Sequence, residues 1–169
     1  MTVNDSTLFQ KRVSIEQVEE SNELAPKFDA DGLISCITTD ATSGEVLMLG
    51  YMNAEALEKT IATGEAHYFS RSRQVLWHKG ATSGLVQNIV EMRIDDDQDA
   101  VWIRVKVAGN GASCHVGYRS CFYRKVPVGN HNEKTFRQMD EQISLEFMEH
   151  EKTFDPLAVY GDVPNPTLL

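Results

Sequence analysis

The sequence predicts an α+β fold in which a mostly antiparallel sheet is accompanied by few helices. Two apolar, β-branched stretches at 33–38 and 45–49 enclose a turn-forming sequence at 40–44, as expected for a β-hairpin. Two more strand-like stretches, 86–94 and 100–107, enclose an acidic turn. These hairpin signals outnumber the stretches with helical periodicity, and a largely antiparallel sheet follows from them.

Capping residues predict two helices in the N-terminal half. Ser14, followed by a mainly acidic stretch at 16–23, predicts a short helix. Asn53 is a suitable N-cap for a second helix, which Gly64 ends.

Local composition defines the elements that follow the second helix. Residues 66–69 are predicted to form a strand, and the polar, basic and glycine-containing segment 70–84 is predicted to be largely loop. A glycine-rich loop at 108–117 precedes a last predicted strand at 120–126.

Two elements are predicted near the C-terminus. Phe136, Met139, Ile143 and Phe147 have helical spacing and predict a helix over 133–149. The segment 155–169 contains three prolines and is predicted to be an extended arm.

Composition predicts one globular domain with tails. The chain has 169 residues, of which 41% are hydrophobic and 24% charged. We expect a tail and short helix at 1–31, the main domain at 32–127, and a helix and arm at 128–169. No stretch reaches the ~18 apolar residues of a membrane span, and the N-terminus lacks a secretory signal pattern. Three cysteines, an odd number, indicate a reducing compartment, so we expect a cytoplasmic protein without membrane contact.

Charge is concentrated unevenly along the chain. The formal net charge of −9 argues against nucleic-acid binding. Two stretches in the middle, 66–90 and 100–132, contain basic residues and no acid, and the acidic turn lies between them. This pattern indicates a functional centre in the middle of the chain, although clustered surface charge would look the same.

The first candidate site is the acidic turn. Asp95, Asp97 and Asp99 alternate along the chain, so their carboxylates point to one face if the strand continues into the turn. Three carboxylates that face one another repel unless a cation neutralises them, and oxygen ligands suit a hard ion such as Mg²⁺. The alternative is a solvated acidic turn, because aspartate is common in turns.

The second candidate site combines Cys114, His115 and Cys121. Thiolate and imidazole groups at short spacing are typical ligands of zinc, and three protein ligands leave a position open for water. The alternative is two buried free cysteines that pack as small hydrophobic residues. Cys36, in a predicted core strand, is interpreted as structural.

The third candidate site is a basic loop with hydroxyl groups and glycines. Arginine, lysine, hydroxyl and glycine amide groups suit a phosphate, and a tryptophan can stack on a base or sugar. The alternative is an exposed basic loop without a ligand. The candidate substrate-binding residues are Ser70, Arg71, Ser72, Arg73, Trp77, Lys79, Gly80, Ser83 and Gly84.

These features, in this order, resemble the phosphoribosyl-AMP cyclohydrolase family of histidine biosynthesis. The resemblance covers about residues 32–125, more than half of the chain, and it is specific only when its motifs are taken together. It rests on GEVLM at 44–48, YMN at 51–53, HYFSRSR at 67–73, LW at 76–77, KG at 79–80, SG at 83–84, Gln87, the acidic run at 95–99, CH at 114–115 and RSCFYR at 119–124.

The resemblance implies hydrolytic opening of the adenine ring of phosphoribosyl-AMP, at the N1–C6 bond, by a metal-activated water. It also implies an obligate-type homodimer with metal sites at the subunit interface, where three aspartates hold Mg²⁺ and three cysteines from both chains hold zinc. Asp95, Asp97 and Asp99 match the magnesium ligands, and Cys114 and Cys121 match two zinc ligands. His115 is a metal ligand or the group that transfers a proton to N1.

The chain departs from the family pattern at Asp96, which stands where the third zinc cysteine is usual. The loop before Cys114 is also about two residues longer, and Ala81 replaces a usual glutamate. Asp96 makes the ligand set harder, so the preference moves from zinc toward Mn²⁺ or Fe²⁺, or zinc binding weakens. The chain is then a paralogue suited to low zinc, a relative that opens another ring, or an inactive descendant, which the retained ligands argue against. A nucleotide-binding module without catalysis and a structural zinc protein are the other classes considered.

Overall fold

The computed structural model describes residues 8–129, 142–149 and 151–161. Within these ranges the chain forms three helices and eight strands. The helices are α1 (Ile15–Glu20), α2 (Ala54–Thr63) and α3 (Pro156–Tyr160). The strands are β1 (Ile34–Asp40), β2 (Val46–Met52), β3 (His67–Ser70), β4 (Val75–His78), β5 (Gln87–Ile94), β6 (Ala100–Val107), β7 (Arg124–Lys125) and β8 (Glu146–Phe147).

Four of the strands form the central sheet in the order β2-β1-β6-β5. The β1–β2 and β5–β6 pairs are antiparallel hairpins, and the two hairpins join through a parallel β1–β6 pair. The β3–β4 and β7–β8 pairs form separate two-stranded antiparallel sheets. The predicted α+β fold with a mostly antiparallel sheet and few helices is therefore confirmed.

Side chains that cap and turn the chain explain the boundaries of the first elements. Backbone N–H groups of Thr42 and Ser43 donate to Oδ1 of Asp40, which closes the β1–β2 turn. Oδ1 of Asn53 accepts from the backbone of Ala56 at the start of α2. Gly64 ends α2 in the left-handed conformation, with φ of 73°, which favours glycine. The predicted hairpin and the predicted second helix are confirmed.

One face of the central sheet carries the hydrophobic core. Alternate residues of β1, β2 and β6 are buried there and pack with α2 and with Tyr68 of β3. Cys36 is completely buried in this core, as predicted for a structural cysteine. The opposite face of the sheet exposes apolar side chains of β1, β2 and β6. In the part of the chain that the structure describes, we find no helix with the length and apolar character of a membrane span.

Two predictions for the middle of the chain need correction. Val75–His78 is a strand and not loop, because it pairs with β3 and stacks His78 on His67 with ring centroids 4.4 Å apart. The predicted strand at 120–126 is reduced to the two residues of β7.

The predictions near the C-terminus also differ from the structure. Residues 142–149 are not helical: Phe147 pairs with Arg124 across the β7–β8 ladder, and this pairing overrides the helical spacing. The rest of the predicted helix, 133–141, lies outside the described residues. Pro156–Tyr160 of the predicted extended arm is a helix, which Asp155 caps and Pro156 begins. The final segment, 162–169, also lies outside the described residues.

Candidate functional site

The turn between β5 and β6 brings three carboxylates together. Ligand oxygens of Asp95, Asp97 and Asp99 lie within 4.8 Å of one another, and all three residues are exposed. Backbone N–H groups of Asp99 and Ala100 donate to Oδ1 of Asp95 at 2.9 and 3.1 Å and hold the turn. Hydrogen bonds with the Asp97 and Asp95 carboxyl groups raise the pKa of Asp99 to about 6. This turn therefore has the geometry and the crowded charge of a site that could bind a metal ion.

The N-terminal segment supports this acidic turn. Gln98 has a φ of 57° and its side chain is buried. Its Oε1 accepts from the backbone of Ala25 at 2.8 Å, and its Nε2 donates to the carbonyl of Val18 at 2.9 Å. A guanidinium nitrogen of Arg12 donates to the carbonyl of Asp97 at 3.0 Å. Because Gln98 is buried against the N-terminal segment, the flanking aspartates face solvent.

The two thiols of the second predicted site interact with each other. A hydrogen bond from Cys121 lowers the pKa of Cys114 to about 6, and the same bond raises the pKa of Cys121. The backbone N–H of Cys121 donates to the carbonyl of Leu47 at 2.7 Å and fixes the loop to β2. His115 is exposed, and its charge contributes to the lowered pKa of Cys114. The pair can bind a soft metal ion once it loses its protons.

The thiol pair lacks a third ligand in the described part of one chain. No further His, Cys, Asp or Glu ligand atom there lies within 4.8 Å of both thiols, and this includes His115 and Asp96. The acidic turn directly precedes β6. The first residue of β6, Ala100, pairs with Ser35 near the start of β1. The thiols are attached at the other end of β1, because Val46 of β2 pairs with Thr39. At about 3.3 Å per residue, the two attachment points are separated by roughly 13 Å along the sheet.

A cleft of about 500 Å³ lies between β2 and the β3–β4 hairpin. Its charged group is Arg71, whose guanidinium carbon lies 4.0 Å from the centre of the Tyr51 ring. Its floor is formed where Gly50 meets the ring of Tyr68: a Cβ added at Gly50 would come within 2.6 Å of that ring. The cleft is lined by Met48, Leu49, Gly50, Tyr51, Tyr68, Phe69, Arg71, Ser72 and Trp77. Its size and its mixture of aromatic and cationic groups suit a nucleotide.

The structure divides the predicted substrate-binding residues into two groups. Arg71, Ser72 and Trp77 line the cleft. Ser70 and Arg73 belong to the same turn, where the Arg73 backbone donates to Oγ of Ser70 at 3.3 Å, but neither lines the cleft. The remaining predicted residues, Lys79, Gly80, Ser83 and Gly84, also lie outside the cleft lining.

Lys79 is the clearest departure from the predicted phosphate loop. It is only 2% exposed, and its Nζ donates to the carbonyl of Ser113 at 2.7 Å. Burial lowers the pKa of Lys79, while the thiol groups of Cys121 and Cys114 oppose this shift. Because this side chain is buried against another loop and does not line the cleft, its contact with a phosphate stays a prediction.

Sequence reasoning missed two groups that build the site. Tyr51 forms one wall of the cleft, and Gln87 is a completely buried amide whose Nε2 donates to Oγ of Ser113 at 3.1 Å. Both belong to motifs on which the family resemblance rests. A single tyrosine or glutamine, however, has no characteristic spacing to other residues from which its role could be predicted. Only the fold brings them to the cleft and to the thiol loop.

The fold and the site together define a class: a small α+β protein with candidate metal ligands and an arginine-containing cleft of nucleotide size. Residues 48–123 match the family model described as phosphoribosyl-AMP cyclohydrolase. A phosphoribosyl-AMP cyclohydrolase of Rhodopseudomonas palustris is 55% identical over 148 residues, which cover 88% of this chain and 93% of that relative. A phosphoribosyl-AMP cyclohydrolase of Bradyrhizobium diazoefficiens is 54% identical over 144 residues, covering 85% and 94%. The chain belongs to the phosphoribosyl-AMP cyclohydrolase family, and the predicted membership is confirmed.

Proposed function

We propose that this chain hydrolyses the N1–C6 bond of the adenine ring of phosphoribosyl-AMP, a reaction of histidine biosynthesis. The observation that carries the proposal is the 55% identity, over 148 residues, with a relative named for this activity. The cleft supports it as well, because a guanidinium group and aromatic faces suit a substrate that combines phosphates with a base.

Two kinds of metal ion suit the candidate ligands. The hard carboxylates of Asp95, Asp97 and Asp99 favour Mg²⁺, whereas the thiols of Cys114 and Cys121 favour zinc. The carboxylate of Asp96 is the third ligand we propose at the thiols, and it makes Mn²⁺ and Fe²⁺ alternatives to zinc. A divalent ion of this kind lowers the pKa of a coordinated water toward about 7.

The protein's own side chains bind and protonate the substrate. Arg71, with Ser72 beside it, contacts a phosphate, and the rings of Tyr51 and Trp77 pack against the base. Ring opening leaves N1 in need of a proton, and His115 is the candidate donor, since it is exposed next to Cys114. The cleft thus orients the ring while His115 acts at its nitrogen.

The active unit in this proposal is a homodimer. Within one chain Asp96 lies on the acidic turn, and the thiols are attached at the opposite end of β1. A twofold axis brings the turn of one copy to the thiols of the other, so the partner's carboxylate completes each centre. The surface that we assign to the second copy is the exposed apolar face of the sheet, where Ile37 pairs with Leu49 on one side and Trp102 on the other.

The activity is tested by following ring opening of phosphoribosyl-AMP by ultraviolet absorbance. The protein is stripped of metal and reloaded separately with Zn²⁺, Mn²⁺ or Fe²⁺, with Mg²⁺ present throughout. We expect turnover with at least one of these ions, and the best ion reports what Asp96 changes. Folded protein that binds the nucleotide but does not open its ring with any ion would contradict the proposal and favour a binding module or another ring substrate.

Shared metal centres are tested by mixing inactive variants. Asp96→Ala and Cys121→Ala are each expected to be inactive, whereas their mixed dimer has one complete centre. Random reassortment then restores about a quarter of wild-type activity, because half of the dimers are mixed and each has one of two centres. The matched control mixes Cys114→Ala with Cys121→Ala, which cannot rebuild a thiol pair. No restoration in the first mixture would contradict a centre shared between chains.

A further inference from the structure

Lys79 lies inside the protein and contacts the loop that bears Cys114. Its sequence context instead predicts a place in a phosphate-binding loop. It follows β4 directly, and its backbone N–H donates to the carbonyl of Ala66 at 3.1 Å. Its Nζ lies 5.0 Å from the centre of the Trp77 ring and donates to the carbonyl of Ser113 at 2.7 Å. The side chain therefore runs from the hairpin that lines the cleft to the loop that bears Cys114.

A buried ammonium group needs compensating negative charge, because its desolvation is costly. In the described ranges of the chain, no carboxylate oxygen lies within the 4.0 Å of an ion pair with Lys79. The groups that oppose the lowering of its pKa by burial are the thiols of Cys121 and Cys114. Lys79 is buried together with Cys114, whereas Cys121 is exposed.

Ser113 is the point through which Lys79 acts on the thiols. Its carbonyl accepts from Lys79, its Oγ accepts from Gln87 at 3.1 Å, and its backbone N–H donates to the carbonyl of Arg119 at 2.9 Å. The next residue is Cys114, whose backbone N–H donates to the carbonyl of Tyr118 at 3.1 Å. Removal of the lysine side chain would therefore remove one of the three hydrogen bonds that hold Ser113, the residue before Cys114.

We propose that Lys79 is a positioning residue of the thiol centre, which holds Cys114 in place through its hydrogen bond to Ser113. This inference rests on the proposed function only in that the thiols bind a divalent metal. Groups that support metal ligands without touching the metal typically change its affinity 10–100-fold when they are mutated. The competing role, contact with a substrate phosphate, predicts a changed KM and an unchanged metal affinity.

The experiment measures zinc affinity of the full-length protein by competition with a chromogenic chelator, in the absence of substrate. We expect Lys79→Met to weaken zinc binding at least about tenfold, and Lys79→Arg, which keeps the charge, to restore part of the affinity. At saturating zinc, the KM of Lys79→Met for phosphoribosyl-AMP should stay within about twofold of the wild-type value. Lys59→Met, which removes an exposed lysine from α2, is the matched control and should bind zinc like the wild type.

A second readout concerns the thiol ligands themselves. Co²⁺ bound to thiolates gives a charge-transfer absorption, and we expect Lys79→Met to reduce or shift this band relative to Lys59→Met. If Lys79→Met does not fold, Lys79→Gln replaces it, because its amide can still donate to Ser113, and an intermediate loss of zinc affinity is expected.

Wild-type zinc affinity in the folded variant, or a raised KM without loss of zinc affinity, would overturn the inference. Failure of the wild-type protein to bind zinc, Mn²⁺ or Fe²⁺ would instead overturn the proposed metal centre.

Discussion

Tyr68 donates its phenolic hydrogen to Oε1 of Gln87 across 2.6 Å in the interior of the protein. The same hydroxyl lies 2.7 Å from Oγ1 of Thr38 in the central sheet. Gln87 continues the network by donating to Oγ of Ser113, next to Cys114. Because the ring of Tyr68 also forms the floor of the cleft, the cleft and the thiol loop share one buried support.

Loss of the Tyr68 hydroxyl should therefore destabilise the protein without enlarging the cleft. Tyr68→Phe leaves buried polar atoms of Gln87 and Thr38 without this partner, and each lost partner of this kind costs about 1–3 kcal/mol. We expect a lower midpoint of urea unfolding and an unchanged slope. Tyr51→Phe, in the half-exposed wall of the same cleft, is the control and should differ from the wild type by no more than about 0.5 kcal/mol. Equal stability of Tyr68→Phe and the wild type would show that the network is not stabilising.

The sequence predicts the composition of this site better than its spatial arrangement. Arg71 and Trp77 were expected at a nucleotide and line the cleft. Lys79 is expected beside them, but it is buried next to Trp77 and contacts Ser113, because it directly follows a β3–β4 pairing that the polar, basic sequence does not reveal. Local residue types indicate which chemistry is available, whereas strand pairing decides which side chains reach it.

The same distinction explains the fold. The β1–β2 hairpin and helix α2 have their turn and caps in the sequence itself, at Asp40, Asn53 and Gly64, and both were predicted. Phe147 has helical spacing from Ile143, but it pairs with Arg124 of a distant strand. No local sequence pattern indicates that pairing, so the helix predicted over 142–149 is wrong.

The two arginines of the β3–β4 turn should differ in their effect on substrate binding. Both are exposed, but Arg71 lies in the cleft against Tyr51, whereas Arg73 lies outside the cleft lining. A hydrogen bond to a charged group contributes about 1.5–3 kcal/mol, so Arg71→Ala should raise the KM for phosphoribosyl-AMP roughly 10–100-fold. Arg73→Ala should have a clearly smaller effect. Steady-state kinetics of both variants test this order, and a larger effect at Arg73 would show that the turn rearranges around the substrate.

Asp40 should make the stability of the hairpin depend on pH. The backbone N–H of Ser43 donates to its carboxylate and is the main cause of the lowered pKa of Asp40. A carboxyl group whose pKa is lower in the folded state stabilises the protein above its unfolded pKa of about 3.9, and this contribution disappears as the pH falls through the folded pKa. The stability difference between the wild type and Asp40→Asn should thus be largest near pH 7 and shrink below about pH 4. Urea unfolding of both proteins at several pH values measures it, and a difference that grew on acidification would have the wrong sign.

The three cysteines should separate into two classes of reactivity. Burial raises the pKa of Cys36 to about 12, and this side chain is completely inaccessible in the core. Since the thiolate is the reactive form, iodoacetamide at pH 8 should leave Cys36 unmodified in the native protein. The thiol pair of Cys114 and Cys121 should be modified in protein stripped of metal, because the pKa of Cys114 is lowered to about 6, and protected after zinc is added. Intact-mass spectrometry counts the adducts: at least one in the stripped native protein, fewer with zinc, and three after unfolding in urea. Modification of Cys36 in the native state would mean that the core around β1 opens on the timescale of the reaction. If Cys36 is protected but zinc does not protect the other two cysteines, the packing of the core is supported and the proposed metal binding by the thiol pair is contradicted.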